Sequence, residues 1–137
     1  MKRKKTRLCS EPDHRSFWVY VPIWNANLYV YVGGEFSKFQ EWACKNTPFP
    51  KDRVYEMSRH VNSNATTYGW YGDAIIYSMA PIRKSVLVHE LLHFALQLLR
   101  HRDVDECDDE VRCYLLEWLY KEVVEKMPKE MLREERK

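Results

Sequence analysis

Alternating bulky residues mark a β-hairpin early in the chain. FWVYVPIW (17–24) and LYVYVGG (28–34) are rich in β-branched and aromatic residues, and three residues separate them. This composition and spacing predict two antiparallel strands joined by a three-residue turn. Pro22 has no N–H group to donate to the ladder, so we expect the first strand at a sheet edge or at a bulge. After two glycines, apolar residues recur with a helical period over residues 35–45 and predict a short amphipathic helix.

The middle of the chain carries a second hairpin. Residues 46–66 contain two prolines and show no sustained period, and we interpret most of them as a loop. Residues 67–71 and 74–79 are predicted strands on either side of the turn residues Gly72 and Asp73. The final strand, AIIYSM, ends before a proline. A second pair of strands is therefore available to the same sheet.

Two helical periods close the chain. The first covers about residues 83–100 and the second about residues 105–127, where Pro128 marks the end. Strands followed by helices predict an α+β fold. We expect a short antiparallel or mixed β-sheet, with the first long helix packed against the C-terminal helix.

Length and composition support a single domain. The chain has 137 residues, 45% of them hydrophobic, which is enough to bury one core. We divide it into a basic arm at residues 1–12, one domain at residues 13–127 and a charged C-terminal tail at residues 128–137. Lysine and arginine (22) nearly balance aspartate and glutamate (20), which gives a formal net charge of +2. No nucleic-acid partner is expected, and binding by the basic arm is the least favoured function.

Hydropathy predicts no membrane span. The longest apolar segment, residues 86–99, is interrupted by three ionisable side chains and is shorter than the roughly 20 residues that a span needs. The basic N-terminus is not followed by the apolar stretch of a secretory signal, and the four cysteines form no C-x-x-C pair. We therefore expect a cytoplasmic protein with reduced thiols.

The first long helix contains HELLH at residues 89–93. His89 and His93 are four residues apart, so both imidazoles project from one face and are close enough to share an ion. Glu90 flanks that face, where its carboxylate reaches a metal-bound water without being a ligand. Apolar neighbours indicate a buried helix, and burying a polar group without a partner costs about 2–7 kcal/mol. A bound cation would compensate; the alternative is that the histidines bond to nearby carboxylates.

Helix geometry selects a third ligand from the acidic run at residues 105–110. From His93 the helix continues for about eight residues, or roughly 12 Å, and an antiparallel second helix must cover a similar distance. This places Glu110 level with His93 and makes it the predicted third ligand. Glu106 is one turn short and is suited to orienting a ligating histidine, but it stays an alternative ligand. A thiolate from Cys107 would instead close the site and make it structural.

Two imidazoles and one carboxylate are typical ligands of a zinc ion, Zn²⁺. With His89, His93 and Glu110 bound, the fourth position is open to a water whose pKa the ion lowers towards about 7. Glu90 would act as general base and then as general acid, and the substrate would be a peptide or protein. The donor to the oxyanion is not determined, and four residues are candidates: Tyr77, His101, Arg112 and Tyr114.

The order of these motifs resembles that of a known family. HELLH on an apolar helix, followed by DECDDE and CYLLEWL, is similar to zincin-type metallopeptidases of the gluzincin kind, and most of all to small zincin-like proteins of phages and prophages. The resemblance covers residues 74–124. It implies a small zincin-like domain and a zinc metallopeptidase working in a bacterial or phage-infected cytoplasm. It also implies that AIIYSM forms a sheet edge along which an extended peptide pairs.

A function of a different class stays open. The chain would then be a non-enzymatic phage or bacterial interaction protein, in which a structural or relic metal site only joins the two long helices. The aromatic residues Trp70 and Tyr71 of the second hairpin would supply the contact surface.

Overall fold

The computed structural model of the chain describes residues 15–58, 65–105 and 108–133. Within these ranges, four strands form the main sheet: β1 (Arg15–Val21), β2 (Ala26–Val32), β3 (Thr66–Trp70) and β4 (Asp73–Ser78). Their order is β1-β2-β4-β3. The two hairpins, β1 with β2 and β3 with β4, are antiparallel, whereas β2 and β4 run parallel at the centre. The sheet is therefore mixed, and β1 and β3 are its edges.

Helices cover both faces of this sheet. The described α-helices are α1 (Phe36–Asn46), α2 (Lys51–Glu56), α3 (Lys84–His101) and α4 (Asp109–Lys126). Successive side chains of a strand point to opposite faces. Val30 and Ile76 accordingly pack in the core with α3 and α4, whereas Tyr31 and Tyr77 pack with α1 and α2. The result is three layers, with helices on either side of the sheet.

α3 contributes most to the larger core. Leu87, Leu91, Phe94 and Leu98 recur every three or four residues and are 0% exposed. Burying one such side chain contributes about 1.5–3 kcal/mol, so this face holds the helix against the sheet. The opposite face of α3 is left at the surface.

Much of the predicted fold is confirmed. Both hairpins form, β1 lies at an edge as expected, and the α+β class with a short mixed sheet is correct. The three-residue turn predicted for the first hairpin is wrong, because Val21 pairs with Ala26 and the turn is residues 22–25, with Pro22 at its start rather than in the strand. α1 and α3 each lie within one residue of their predicted bounds. The described helices include none that is long and apolar enough to cross a membrane.

Two predictions in the middle of the chain are wrong. The presumed loop contains α2, whose six residues are too few to give a period; Val54 anchors it by burial, and Gln40 donates to the Val54 carbonyl at 3.1 Å. AIIYSM is not a sheet edge, because β4 is paired on both sides; the edge next to it is β3. The run of buried residues from Ala74 to Ser78 is typical of such an interior strand.

The end of the chain differs in two further respects. α4 begins at Asp109, about four residues later than predicted, because Asp108 is its N-cap and accepts from the Val111 N–H at 3.2 Å. In the predicted tail, Met131 is fully buried in the core, and β6 (Leu132–Arg133) pairs parallel with β5 (Ile82–Arg83). Part of that tail therefore packs with the domain. The predicted basic arm lies outside the described residues.

Candidate functional site

The two histidines of HELLH converge on the exposed face of α3. The imidazole Nε2 atoms of His89 and His93 are 3.2 Å apart, and the ring planes meet at 84°. One turn of helix separates the residues, and the leucines on the other side fix which way this face points. The predicted pairing of the two imidazoles is therefore present in the structure.

Glu90 lies beside the pair and is buried. It is only 6% exposed, and among the described residues it is the one buried charged side chain. The Thr67 hydroxyl of β3 donates to its Oε1 at 2.5 Å and also lies 3.3 Å from its backbone carbonyl. A charge-assisted bond of this kind offsets part of the cost of burying a carboxylate.

A cavity of about 380 Å³ joins these groups at the edge of the sheet. Its walls are the beginning of β3 and the exposed face of α3. The lining residues are Ala65, Thr66, Thr67, His89, Glu90, His93, Leu96, Gln97 and Arg100. None of these lining residues belongs to α4.

The edge strand presents backbone groups to this cavity. A two-residue turn at Tyr71 and Gly72, with φ of 49° and 91°, joins β3 to β4 in the manner of a type I′ hairpin. In such a hairpin the two residues that flank the turn, here Trp70 and Asp73, form a hydrogen-bonded pair. Counting back along β3 from Trp70, the N–H and C=O groups of every second residue therefore point away from β4. In β3 these residues are Gly69 and Thr67. The Arg53 Nη2 donates to the Gly69 carbonyl at 3.0 Å, which agrees with this orientation.

The histidine pair fits two ligand positions of a zinc ion. At Zn–N distances of about 2.0–2.1 Å, two nitrogens of a tetrahedral site lie about 3.3–3.4 Å apart. The observed 3.2 Å between His89 and His93 is close to that value. Imidazole nitrogen is also an ordinary zinc ligand. The pair could therefore hold a zinc ion, with Glu90 next to it.

Within the part of the chain that the structure describes, no third protein ligand is brought to the pair. Glu110 is exposed in the first turn of α4 and does not line the cavity. The later start of α4 explains this, since Glu110 lies at the beginning of the second long helix rather than a turn into it. The described residues contain no group of three or more histidine, cysteine, aspartate or glutamate side chains able to hold a metal. Glu106 and Cys107 lie outside the described residues, and Glu110 stays a prediction.

The four candidate oxyanion donors lie away from the cavity. Tyr77 donates to the Gly34 carbonyl at 3.0 Å among the core residues next to α1. His101 packs edge-on against Tyr71, and the Arg112 guanidinium bonds to Asp109. The fourth candidate, Tyr114, is 67% exposed on α4.

Sequence reasoning missed the other six lining residues of the cavity, among them Thr67, Gln97 and Arg100. Gln97 and Arg100 follow His93 by four and seven residues, so the helical period that pairs the histidines also predicts their shared face. Thr67 had no such signal, because only the packing of β3 against α3 brings its hydroxyl to Glu90.

Comparison of the chain with protein-family models, with curated proteins and with solved structures found no match.

Proposed function

We propose that the protein is a zinc-dependent hydrolase that cleaves a peptide bond, with His89 and His93 as metal ligands and Glu90 as the proton-transferring group. One observation carries the proposal: two imidazole nitrogens 3.2 Å apart, beside a buried carboxylate, in a cavity at a sheet edge. Glu110 is the proposed third ligand.

Each group has a separate task. A zinc ion, when bound, lowers the pKa of a coordinated water and polarises a carbonyl. Glu90 accepts the proton of the attacking water at its carboxylate and delivers it to the leaving amine. The Thr67 hydroxyl holds Oε1 of that carboxylate and so limits its rotation.

The edge strand supplies a way to hold the substrate. The outward N–H and C=O groups of β3 pair with an extended peptide, which then lies between β3 and α3. The outer edge of β3 at Thr67 is next to Glu90 and the histidines. Backbone pairing would thus bring a peptide bond to the reacting groups without depending on its side chains.

Metal content of the untagged protein tests the ligands. We expect one zinc per chain in the wild type, its loss in His93→Ala, and its retention in His101→Ala, which removes an exposed histidine of α3 outside the cavity. Loss of zinc in Glu110→Ala would identify that residue as the third ligand. A wild type that takes up no zinc from a zinc-replete solution would overturn the proposal.

Hydrolysis of a peptide library tests the role of Glu90. Glu90→Gln replaces the carboxylate with an amide of the same shape that cannot accept the proton. We therefore expect zinc content to be unchanged and kcat/KM to fall at least about 100-fold. Unchanged hydrolysis in this variant would refute the mechanism. If the protein holds no metal and cleaves nothing, the alternative of an interaction protein becomes the better account.

A further inference from the structure

The cavity continues along α3 beyond the histidines. Gln97 and Arg100 follow His93 on the same face, about 6 and 10 Å further along the helix axis. Among the described residues that line the cavity, Arg100 is the only one with a permanent positive charge, and the buried Glu90 lies at the other end. The cavity is therefore electrically asymmetric along its length.

Gln97 brings an unused hydrogen-bond donor to this part of the cavity. Its Nε2 is buried and has no hydrogen-bond partner. A Cβ added to Gly69 would lie 2.2 Å from that nitrogen, so glycine at this position leaves room for the amide against the edge strand. A buried donor without a partner is destabilising, and a carbonyl or carboxylate oxygen of a bound peptide would supply the missing acceptor.

A second guanidinium reaches the same end of β3. Arg53 donates to the outward Gly69 carbonyl at 3.0 Å, and its Cζ lies 5.8 Å from the centroid of the Trp70 ring. The Gly69 carbonyl is thus already engaged, and backbone pairing with a substrate is left to the part of the edge nearer Thr67. An acidic group on the substrate would meet positive charge where that pairing ends.

The direction of β3 determines which end of a bound peptide lies near Arg100. β3 runs in the same direction as α3, since Thr67 contacts Glu90 while the ring of Tyr71 lies 5.7 Å from that of His101. A peptide added antiparallel, the more stable pairing, runs the opposite way. Its residues before the scissile bond then point towards Arg100, and 10 Å corresponds to about three extended residues.

We propose that this end of the cavity, formed by Gln97 and Arg100, selects peptides with an acidic side chain about three residues before the scissile bond. The proposal rests on the proposed hydrolase function, whose substrate class it specifies.

Cleavage of designed peptides tests the selection. The probes are quenched-fluorescent alanine-based peptides of about nine residues, with one glutamate or glutamine three residues before or after the central bond. For zinc-loaded wild type we expect kcat/KM to be about tenfold higher with glutamate before the bond, the size of one partly exposed charge-assisted contact. Arg100→Gln should abolish this preference. Lys84→Gln, which removes an exposed charge from α3 outside the cavity, should retain it.

The outcomes separate this proposal from the function on which it rests. Cleavage without a preference, a preference that survives in Arg100→Gln, or a preference only for glutamate after the bond would overturn the selection and leave the hydrolase standing. If no peptide is cleaved, binding of the same peptides decides. Tighter binding of the glutamate peptide that Arg100→Gln abolishes supports the acidic site without the hydrolase, and equal binding overturns it.

Discussion

The bond between Thr67 and Glu90 connects the edge strand to the candidate site, and its removal is the sharpest test of the geometry. Thr67→Val keeps the shape and the β-propensity of the side chain but removes the hydroxyl that donates to Oε1 at 2.5 Å. The carboxylate is 6% exposed, so water does not replace the lost donor readily. A hydrogen bond to a charged group contributes about 1.5–3 kcal/mol, and we expect a loss of that size in the free energy of unfolding.

Urea unfolding with a chelator present measures this loss without a contribution from bound metal. For 137 residues, 1 kcal/mol corresponds to about 3.5 °C in Tm, so the midpoint of thermal unfolding should fall by roughly 5–10 °C. Thr67→Ser is the matched control, because it keeps the hydroxyl and should recover most of the stability.

A double-mutant cycle isolates the contribution of charge. In a Glu90→Gln background the acceptor is neutral, so Thr67→Val should cost only about 0.5–1.5 kcal/mol. A cost below about 0.5 kcal/mol for Thr67→Val alone, or the same cost in both backgrounds, would refute a charge-assisted bond between Thr67 and Glu90.

Two further predictions concern the fold. Burial raises the pKa of Asp73 above its ordinary 3.8, so its contribution to stability is complete below the unfolded-state pKa and is lost as pH rises through the folded-state pKa. The side chain introduced in Asp73→Asn cannot ionise. In urea titrations the free energy of unfolding of this variant, relative to that of the wild type, should therefore increase between about pH 3 and pH 7; a constant difference would contradict this. Met131→Ala should lower the free energy of unfolding by about 2–5 kcal/mol because the Met131 side chain is 0% exposed. Glu130→Ala, which changes an exposed neighbour, should lower it by less than about 0.5 kcal/mol. Equal stability of these two variants in urea unfolding would mean that the chain end does not pack with the core.

The hairpins and the longer helices were predictable because their signals are local. Alternation of apolar residues gave β1 and β2, and a period of 3.6 gave α1 and α3. α2 was missed because six residues complete less than two turns. The start of α4 was placed too early because the acidic run before it offers several capping residues, and the choice of Asp108 depends on how the chain leaves α3.

The same distinction between local and long-range signals applies to the candidate site. The spacing of His89 and His93 within one helix dictates that their rings meet, and the same helix brings Glu90 beside them. The third ligand depended instead on the relative position of two helices, and a late start of α4 was enough to leave Glu110 outside the cavity.

The sequence alone determined the α+β class, the order of the four main strands and the three longer helices, and the face of α3 that carries the histidines, since these follow from periods within single segments. Only the tertiary structure decided that β3, and not AIIYSM, is the edge beside that face. It also decided that Thr67 holds Glu90 and that Arg100 shares the cavity with the histidines. These contacts join residues that are distant along the chain, or they depend on which strand packs against α3. Strand order and helix packing are properties of the whole core rather than of any local pattern.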